Sequence, residues 1–536
     1  MTHTQHKKTI KENSRNDDED PSQIAAMRII VPLQEVVQGR GGLVLGSIVP
    51  CALFYFLQLY LKRNRHPSSP SPPPASSSSD KLHESSTSIP RTLSRSLLSQ
   101  KTPSGPAPVS SRASNVISKV AGGDSVSIVG YKRWVNDPYH ECQNPDGVMQ
   151  LCLAENHLSL DLVRDWLAQN LEKSLLDEEK VDLGIGGLVT YQRFDGLMDL
   201  KIAVAGFMSQ VMKGSVSFNP SQIILTSGAS SAIEILSFCL GDPGNAFMVP
   251  SPYYPGYDKN VKWRSGIELI PVPCRSTDKF NISIAALERA YNQAKNRGVK
   301  IRALLLSNPS NPVGNILTRE MIYDLLDFAT EKNIHLIFDE VFAGSTHGHK
   351  EFVSISEVLD EVGLDRSRVH IIYGLSKDLC LPGFRVGVIY SFNENVLAAA
   401  VKFARFSSVS VPTQRLLVSM LSDKKFTSEF LETNRMRLRK MYTSVVVGLK
   451  KLGVDCYESN GGFYCWVDMS KFLRSYSEKG ETEMWDKLLN LAKINVMPGS
   501  SCHCIEPGWF RLCFTTLTDK DVPVLLERIR RVIESH

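Results

Sequence analysis

The chain has 536 residues, of which 42% are hydrophobic and 22% are charged, a composition typical of a globular protein. The formal net charge of +5 is small for this length, and no stretch interleaves aromatic with basic residues, so we expect no nucleic-acid partner. The 11 cysteines follow no paired spacing, which argues against a disulfide scaffold and favours a reducing compartment.

The amino-terminal region divides into a polar tail at 1–40 and an uncharged stretch at 41–61. A helix of about 20 apolar residues spans a bilayer core. The 21 uncharged residues therefore predict a single-pass membrane anchor, with a buried or interfacial helix as the alternative. A cleaved signal peptide is not expected, because the apolar stretch begins too late and is too long. Lys62, Arg63 and Arg65 follow at once and predict that the long region after them lies in the cytosol.

Serine and proline dominate the next segment, and residues 67–80 contain seven serines and five prolines. Such a segment has little apolar surface to bury, so we expect 62–120 to be a disordered linker. Globular composition begins near residue 121. We predict an amino-terminal part of a small domain at 121–190, a large domain at 191–419, and the carboxyl-terminal small domain at 420–536.

Helical periodicity alternates with short apolar runs through most of this region. Apolar residues at helical spacing predict helices at 161–175 and 197–212. Apolar runs bounded by turn residues predict buried strands, at 148–153, 222–226, 246–249, 301–306 and 333–338. Strands that alternate with helices indicate an α/β fold with a mostly parallel central sheet.

The stretch 373–387, Tyr-Gly-Leu-Ser-Lys-Asp-Leu-Cys-Leu-Pro-Gly-Phe-Arg-Val-Gly, places a lysine just after the apolar run 369–373. Ligands of open α/β sheets bind at this carboxyl edge, where Lys377 can lose its proton and form a Schiff base with a carbonyl. Arg385 follows eight residues later and can hold a phosphate. The two residues together suggest pyridoxal 5'-phosphate as cofactor. A surface lysine and a solvated arginine are the alternative interpretation.

Further candidate residues follow predicted strands and are expected at the same edge. The small-residue turn at 227–231 opens a helix, where backbone N–H groups and the helix dipole can meet an anion. Asp339 can pair with a pyridinium nitrogen and keep it protonated. Asn311 can donate a hydrogen bond to a ligand, and an aromatic residue of 250–257 can stack on a planar ring.

A smaller α+β domain is predicted near the carboxyl end, from an amphipathic helix at 434–452 and a strand at 461–467. Arg511 lies in an apolar strand, where a buried charge requires a partner, and a substrate carboxylate is a natural one. The Cys-His-Cys run at 502–504 consists of adjacent residues that cannot close a tetrahedral site, so no metal is predicted.

Five motifs occur in a fixed order: Ser-Asn-Pro-Ser-Asn-Pro-Val-Gly at 307–314, Asp-Glu at 339–340, Ser-Lys-Asp-Leu-Cys-Leu-Pro-Gly-Phe-Arg-Val-Gly at 376–387, Pro-Gly-Ser-Ser at 498–501 and Pro-Gly-Trp-Phe-Arg at 507–511. In order and spacing they resemble plant 1-aminocyclopropane-1-carboxylate (ACC) synthases, of the class I pyridoxal-phosphate-dependent aminotransferase family. The resemblance covers about residues 121–536. It implies a fold-type I transferase that binds pyridoxal 5'-phosphate and forms a homodimer with active sites at the interface.

The resemblance also implies a role for each candidate residue. Lys377 is the catalytic residue, which bonds covalently to the cofactor. The implied cofactor-binding residues are Asp339 at the pyridine nitrogen, Asn311 at the phenolic oxygen, Tyr254 on the ring, and Ala229, Ser230, Ser376 and Arg385 at the phosphate. Arg511 binds the substrate α-carboxylate, and Glu155 lines the substrate pocket.

Three positions depart from the family pattern. Phe194 stands where the family has a tyrosine that reaches the neighbouring subunit's cofactor. Phe342 replaces a tyrosine that donates to the cofactor oxygen, and Gly374 replaces a serine that helps to bind phosphate. These changes resemble a divergent branch that acts as aminotransferases, so we predict amino transfer from an aromatic amino acid or aspartate to a 2-oxo acid. The alternatives are an ACC synthase acting on S-adenosylmethionine and an inactive, dimerising scaffold.

Overall fold

The computed structural model of the chain describes residues 109–121, 126–176, 185–361 and 365–535. In that part of the chain, no helix combines the length and the apolar character needed to cross a membrane. The predicted anchor at 41–61 lies outside the described residues, as does most of the predicted linker, and both stay predictions.

Strands and helices alternate along most of the described chain. In chain order the strands are β1 Met149–Gln150, β2 Ile223–Thr226, β3 Ala246–Ser251, β4 Glu268–Pro273, β5 Ile301–Ser307, β6 His335–Asp339, β7 Val369–Gly374, β8 Gly387–Ser391, β9 Asp455–Cys456, β10 Tyr464–Asp468, β11 Ile494–Asn495, β12 Met497–Pro498 and β13 Trp509–Cys513. The α-helices are α1 Ser111–Ala121, α2 Val126–Asn136, α3 Leu160–Leu176, α4 Ile185–Val189, α5 Met198–Val211, α6 Ala229–Leu240, α7 Gly256–Lys262, α8 Ile284–Asn296, α9 Arg319–Lys332, α10 Ile355–Glu361, α11 Leu375–Asp378, α12 Glu394–Phe403, α13 Val411–Ser422, α14 Lys424–Lys451, α15 Glu478–Asn490 and α16 Asp521–Glu534.

The large sheet has seven strands in the order β2-β8-β7-β6-β5-β3-β4. Every neighbouring pair is parallel except those that β8 makes with β2 and β7, so the predicted mostly parallel sheet is confirmed. The strands β2, β3, β5, β6 and β7 are almost entirely buried, as expected for a sheet with helices on both faces. Their carboxyl ends meet along one edge, and the connections that follow them are brought together there.

A smaller antiparallel sheet has the order β12-β13-β10-β9. The short strand β1 pairs in parallel with β11, so residues near 150 join a region built mainly from residues beyond 450. The stacked indoles of Trp466 and Trp509, with centroids 5.7 Å apart, are buried against Phe280 of the chain that follows β4. The observed helices and sheet agree with a smaller α+β region, while the domain boundaries themselves stay predictions.

Four predicted elements differ from the structure. Residues Ser111–Ala121, inside the predicted disordered linker, form helix α1, and Ala113, Val116 and Ile117 give it an i, i+3, i+4 apolar spacing. The predicted strand at 148–153 shrinks to the two residues of β1. Helix α14 begins ten residues before the predicted 434, because the Asp423 side chain caps it by accepting from Phe426 N.

The fourth difference concerns the predicted strand at 461–467. In the structure this strand, β10, begins only at Tyr464. Gly462 has a φ of +86°, a left-handed conformation that interrupts extended backbone and favours glycine. The strand therefore starts after the glycine pair, and its first side chain is the tyrosine that contacts Asn311 in the candidate site.

Candidate active site

The candidate site lies along the carboxyl edge of the large sheet. There the turn after β2, the segments after β3 and β5, the end of β6 and helix α11 after β7 adjoin one another. The sequence predicted this edge from strand ends alone. The structure adds the β10 and β13 side chains of the smaller sheet, which approach the same place.

Lys377 lies in the four-residue helix α11, directly after the buried strand β7. Its Nζ donates a hydrogen bond to the backbone oxygen of Ala154 at 2.6 Å and lies 5.9 Å from the centroid of the Phe342 ring. Removal from water disfavours the ammonium and lowers the pKa of Lys377 to about 8, with the nearby Arg511 acting in the same direction. The ammonium still predominates at neutral pH, but the unprotonated fraction is much larger than for an exposed lysine, which favours a nucleophilic role.

The residue after this lysine is fixed by three donors. Asp378 is fully buried and accepts hydrogen bonds from Tyr373 Oη at 2.7 Å, Ser345 Oγ at 2.6 Å and Gly344 N at 2.8 Å. The pKa of Asp378 is raised to about 6, mainly by burial, and the donors oppose that rise. Asp378 thereby ties α11 to the chain that follows β6, and this holds Lys377 in place.

Asp339 ends strand β6 and is buried, with 6% of its surface exposed. The phenol of Tyr257 donates to Asp339 Oδ2 at 2.7 Å. Burial raises the pKa of Asp339 to about 6, while the hydrogen bond from Tyr257 lowers it. Tyr254 packs edge-on against Tyr257, with centroids 5.5 Å apart. The carboxylate predicted to meet a pyridinium nitrogen is thus present, buried and oriented.

Arg511 on β13 is 2% exposed, and no carboxylate of the described residues pairs with it. Its Nη1 donates to Asn311 Oδ1 at 2.9 Å, and its Nη2 donates to the backbone oxygen of Cys152 at 2.7 Å. The Nε is buried without a partner, and the guanidinium lies 4.5 Å from the ring centroid of Tyr464. Tyr464 Oη in turn accepts from Asn311 Nδ2 at 3.2 Å. A buried cation with an unused donor fits a substrate carboxylate.

The turn after β2 forms a cradle with Arg385. Gly228 has a φ of +89°, and a Cβ placed there would lie 2.1 Å from Arg385 Nη2. Arg385 itself is exposed, has a left-handed backbone, and its Nη2 donates to Ser227 O at 3.4 Å. Ala229 and Ser230 begin helix α6 at this turn. A guanidinium beside a helix N-terminus suits a phosphate group.

Two further predicted residues, Ser376 and Glu155, lie near Lys377 in the chain or in space, but no hydrogen bond joins their side chains to it. Ser376 precedes Lys377 on α11 and is partly buried. The carboxylate of Glu155 lies 3.2 Å from His157 Nε2, in a half-exposed position, while its backbone oxygen accepts from Thr515 Oγ1 at 2.5 Å. Glu155 is therefore near Lys377 through its neighbour Ala154 rather than through a direct bond of its own side chain.

The three departures from the family pattern are also placed. Phe342 packs edge-on against Tyr464 and faces Lys377. Phe194 lies under the guanidinium of Arg405, 4.6 Å from ring centroid to Cζ. A Cβ at Gly374 would lie 3.0 Å from Val386 O, so a serine there would require a small shift of that backbone.

Two site residues were missed by the sequence reasoning, Tyr257 and Tyr464. Tyr257 lies three residues after Tyr254, and this helical spacing was an available signal that the two rings are neighbours. Nothing local marks Tyr464 as a partner of Asn311, because 153 residues separate them.

The Cys-His-Cys run has a different environment from a metal site. His503 stacks on Tyr253 with centroids 4.4 Å apart, and its Nε2 lies 2.6 Å from Asp258 Oδ2. Cys502 is fully buried. Within the described residues, no group of three or more His, Cys, Asp or Glu side chains is arranged to hold a metal ion.

The residues present fit pyridoxal phosphate. Asp339 would meet the pyridine nitrogen, the turn 227–230 with Arg385 would hold the phosphate, and Lys377 would bond to the carbonyl carbon. When bound, the cofactor supplies an electron sink for bonds at the substrate α-carbon. The close approach of Gly228 to Arg385 in the cradle supports this fit independently of the motifs.

Comparisons with known proteins identify the family of the chain. A family model described as aminotransferase class I and II matches residues 148–529. The chain is 60% identical over 523 residues to rice 1-aminocyclopropane-1-carboxylate synthase 6, covering 96% of this chain and 95% of that one. It is 54% identical over 510 residues to the probable aminotransferase ACS12 of Arabidopsis thaliana, covering 95% of this chain and 99% of the relative.

Solved structures match the fold at lower identity. Aspartate aminotransferase from Thermotoga maritima superposes with a TM-score of 0.62 at 24% identity, covering 80% of this chain and 100% of that one. The enzyme from Rhizobium meliloti gives a TM-score of 0.64 at 20% identity, covering 80% and 99% of the two chains. The predicted fold-type I architecture is confirmed, and the chain belongs to the class I and II family of pyridoxal-phosphate-dependent aminotransferases, among relatives of the plant ACC synthases.

Proposed function

We propose that the chain is an amino acid aminotransferase, which moves an amino group from an aromatic amino acid or aspartate to a 2-oxo acid. The observation that carries this proposal is the Lys377 amine, with a pKa of about 8, in one site with the buried Arg511 and Asp339. Arg511 would orient the substrate carboxylate, and the unprotonated Lys377 amine would accept the proton of the substrate α-carbon and, as an ammonium, donate it to the bound cofactor. These groups are the ones that amino transfer needs from the protein.

The substitutions at two positions favour this function over ACC formation. In the family that the chain resembles, a tyrosine at position 194 reaches the cofactor of the neighbouring subunit. A tyrosine at position 342 donates a hydrogen bond to the cofactor oxygen. Here Phe194 lies under Arg405 and Phe342 packs against Tyr464, so neither position supplies a hydroxyl. Lys377, Asp339 and Arg511 are retained, while the two tyrosine hydroxyls that the resemblance assigns are absent.

A second candidate function is ACC synthesis, favoured by the name of the rice relative at 60% identity. Purified holoenzyme would be incubated either with single amino acids and 2-oxoglutarate or with S-adenosylmethionine. We expect glutamate in the first case and little ACC in the second. Rapid ACC release without glutamate formation would contradict the proposal. Absence of both products, with a cofactor absorbance band that persists in Lys377→Ala, would favour the inactive scaffold.

The proposed oligomer is a homodimer formed through an apolar surface around α4 and α5. Its exposed side chains are Val189 at 72%, Tyr191 at 95%, Met198 at 46%, Ile202 at 55% and Phe406 at 78% exposure. A group of large exposed apolar residues close together in the fold marks an interaction surface. Phe194 adjoins it, with its ring 6.5 Å from that of Tyr191.

The dimer surface can be tested by substitution. We expect Tyr191→Ser combined with Phe406→Ser to shift the protein from dimer to monomer in size-exclusion chromatography with light scattering. Tyr476→Ser, at a residue 67% exposed elsewhere on the chain, is the matched control and should stay dimeric. A double variant that remains dimeric would place the interface elsewhere.

We also propose that residues 41–61 anchor the chain with its catalytic domain in the cytosol, on the strength of the uncharged stretch and the cations that follow it. Asn281-Ile-Ser is a glycosylation acceptor only in the secretory lumen. Asn281 is exposed, so an oligosaccharyltransferase could reach it there. A glycan on Asn281 in the natural host would contradict this topology.

A further inference from the structure

A second cavity, which we name the basic cavity, lies outside the candidate active site and has a volume of about 620 Å³. Its walls are the end of α5, the start of α9, the middle of α14, and the segment 343–353 that follows β6. Five lysine and arginine side chains line it: Lys213, Arg319, Lys350, Arg435 and Arg439. The acidic lining residues are Glu351 and Glu357, so the lysines, arginines and glutamates sum to a charge of +3.

The two acids are already engaged. Glu351 pairs with Lys213 at 2.5 Å, and Glu357 pairs with Arg319. No ion pair among the described residues involves Lys350, Arg435 or Arg439, and the one acid that the charge of Arg435 reaches, Asp378, is buried and bonded to three other donors. On an open surface such cations would be solvated, but converging on a cavity they raise the local concentration of anions.

Two residues that line the cavity, Arg435 and His347, have buried side-chain nitrogens without hydrogen-bond partners. The Nε of Arg435 is buried without a hydrogen-bond partner, and its Nη2 makes only a 3.4 Å contact with Val211 O. His347 is 5% exposed, and neither ring nitrogen has a partner within hydrogen-bonding geometry. Leaving buried donors unpaired costs about 1–3 kcal/mol each. Rotation of the Arg435 side chain towards an anion in the cavity would give its Nε an acceptor and remove that cost.

We propose that the basic cavity binds a small, multiply charged phosphate compound, at a site distinct from the cofactor cradle. Its volume lies within the range of roughly 300–1,000 Å³ typical of small-molecule sites. Arginine forks bind phosphate oxygens in pairs, and Arg435 and Arg439 lie one helical turn apart on α14. This assignment does not depend on which reaction the active site performs.

The segment 343–346 joins the wall of the basic cavity to Asp378, the residue after Lys377. Ala343 and Thr346 line the cavity, and between them Gly344 N and Ser345 Oγ donate to Asp378, the residue after Lys377. The charge of Arg435 favours the ionised form of Asp378 and so lowers its pKa. A bound phosphate would offset that charge, so occupancy of the cavity can affect the position and basicity of Lys377.

The test is a calorimetric titration of the holoenzyme with inorganic pyrophosphate at low ionic strength. We expect saturable binding with one site per chain. Loss of a charged hydrogen bond weakens binding by about tenfold or more. Lys350→Gln combined with Arg439→Gln removes two exposed cations with little risk to folding, and Arg435→Gln removes the partly buried one. Both variants should bind pyrophosphate at least tenfold more weakly.

The matched control is Arg289→Gln with Arg297→Gln, two exposed arginines of the α8 region that lie away from the cavity. It should bind pyrophosphate as the wild type does. Absence of saturable binding to the wild type at millimolar pyrophosphate would overturn the proposal, as would equal affinity in the Lys350/Arg439 variant. Citrate that binds more tightly than pyrophosphate would overturn the choice of phosphate over carboxylate.

Discussion

The hydrogen bond from Tyr257 to Asp339 sets the pH range in which the cofactor can be held. Burial raises the pKa of Asp339 to about 6 even with the phenol present. The substitution Tyr257→Phe removes a donor, 2.7 Å away, from a buried carboxylate. Such a bond to a charged group contributes about 1.5–3 kcal/mol, which corresponds to about one to two pKa units. The pKa of Asp339 should therefore rise to about 7–8 in the variant.

The assay is binding of pyridoxal phosphate to the apoprotein as a function of pH. The ionised Asp339 favours the bound pyridinium, so affinity should fall as the pH drops through the pKa of this carboxyl group. The fall should occur about one to two pH units higher in Tyr257→Phe than in the wild type. Tyr253→Phe is the control, because its phenol contacts Asp258 instead, at 3.4 Å. Overlapping curves for Tyr257→Phe and the wild type would refute the reasoning, and so would an equal shift in the control.

Three further predictions concern single side chains. Burial raises the pKa of Glu340 to about 8 from an unfolded value near 4.5, so stability present below pH 4.5 is lost as the pH rises towards 8. In thermal scans, the Tm of Glu340→Gln relative to that of the wild type should therefore rise as the pH increases from 4.5 to 8. A Tm difference that does not change with pH would contradict this prediction. Gly228→Ala places a methyl group against Arg385 at a φ of +89°, and equilibrium dialysis should show cofactor affinity at least about tenfold weaker. Unchanged affinity would exclude the cradle as the phosphate site. Phe342→Tyr adds a phenol near Lys377. In a spectrophotometric titration, the cofactor absorbance band of this variant should titrate at a lower pH than that of the wild type. An unchanged titration would mean that the hydroxyl does not reach the cofactor.

Much of the site could be predicted from the sequence because its residues follow strands. Lys377 and Asp339 come just after or at the end of apolar runs, and a parallel sheet brings such positions to one edge. The family motifs then assigned chemistry to each position. Apolar runs and strand ends are local properties of the sequence. This part of the fold could therefore be predicted before any tertiary contact was known.

The hydrogen-bond partners of these residues could not be predicted from the sequence. Tyr257 meets Asp339 across 82 residues, and Arg511 meets Asn311 across 200, so no local pattern encodes either bond. The helix inside the predicted linker was missed because serine-rich composition outweighed its short apolar spacing. The basic cavity is likewise absent from the linear pattern, since its five cations come from four separate segments.

The pairing of β1 with β11 has a consequence for the order of folding. Gln150 and Asn495 are 345 residues apart, so the earlier strand cannot find its partner until almost the whole described chain has been synthesised. The seven-stranded sheet, by contrast, is complete once residue 391 has emerged. Contacts of such long sequence separation form late, because loop closure must come first. During translation the large sheet can therefore assemble first, while the segment around 149 stays unpaired and exposed to chaperones and proteases.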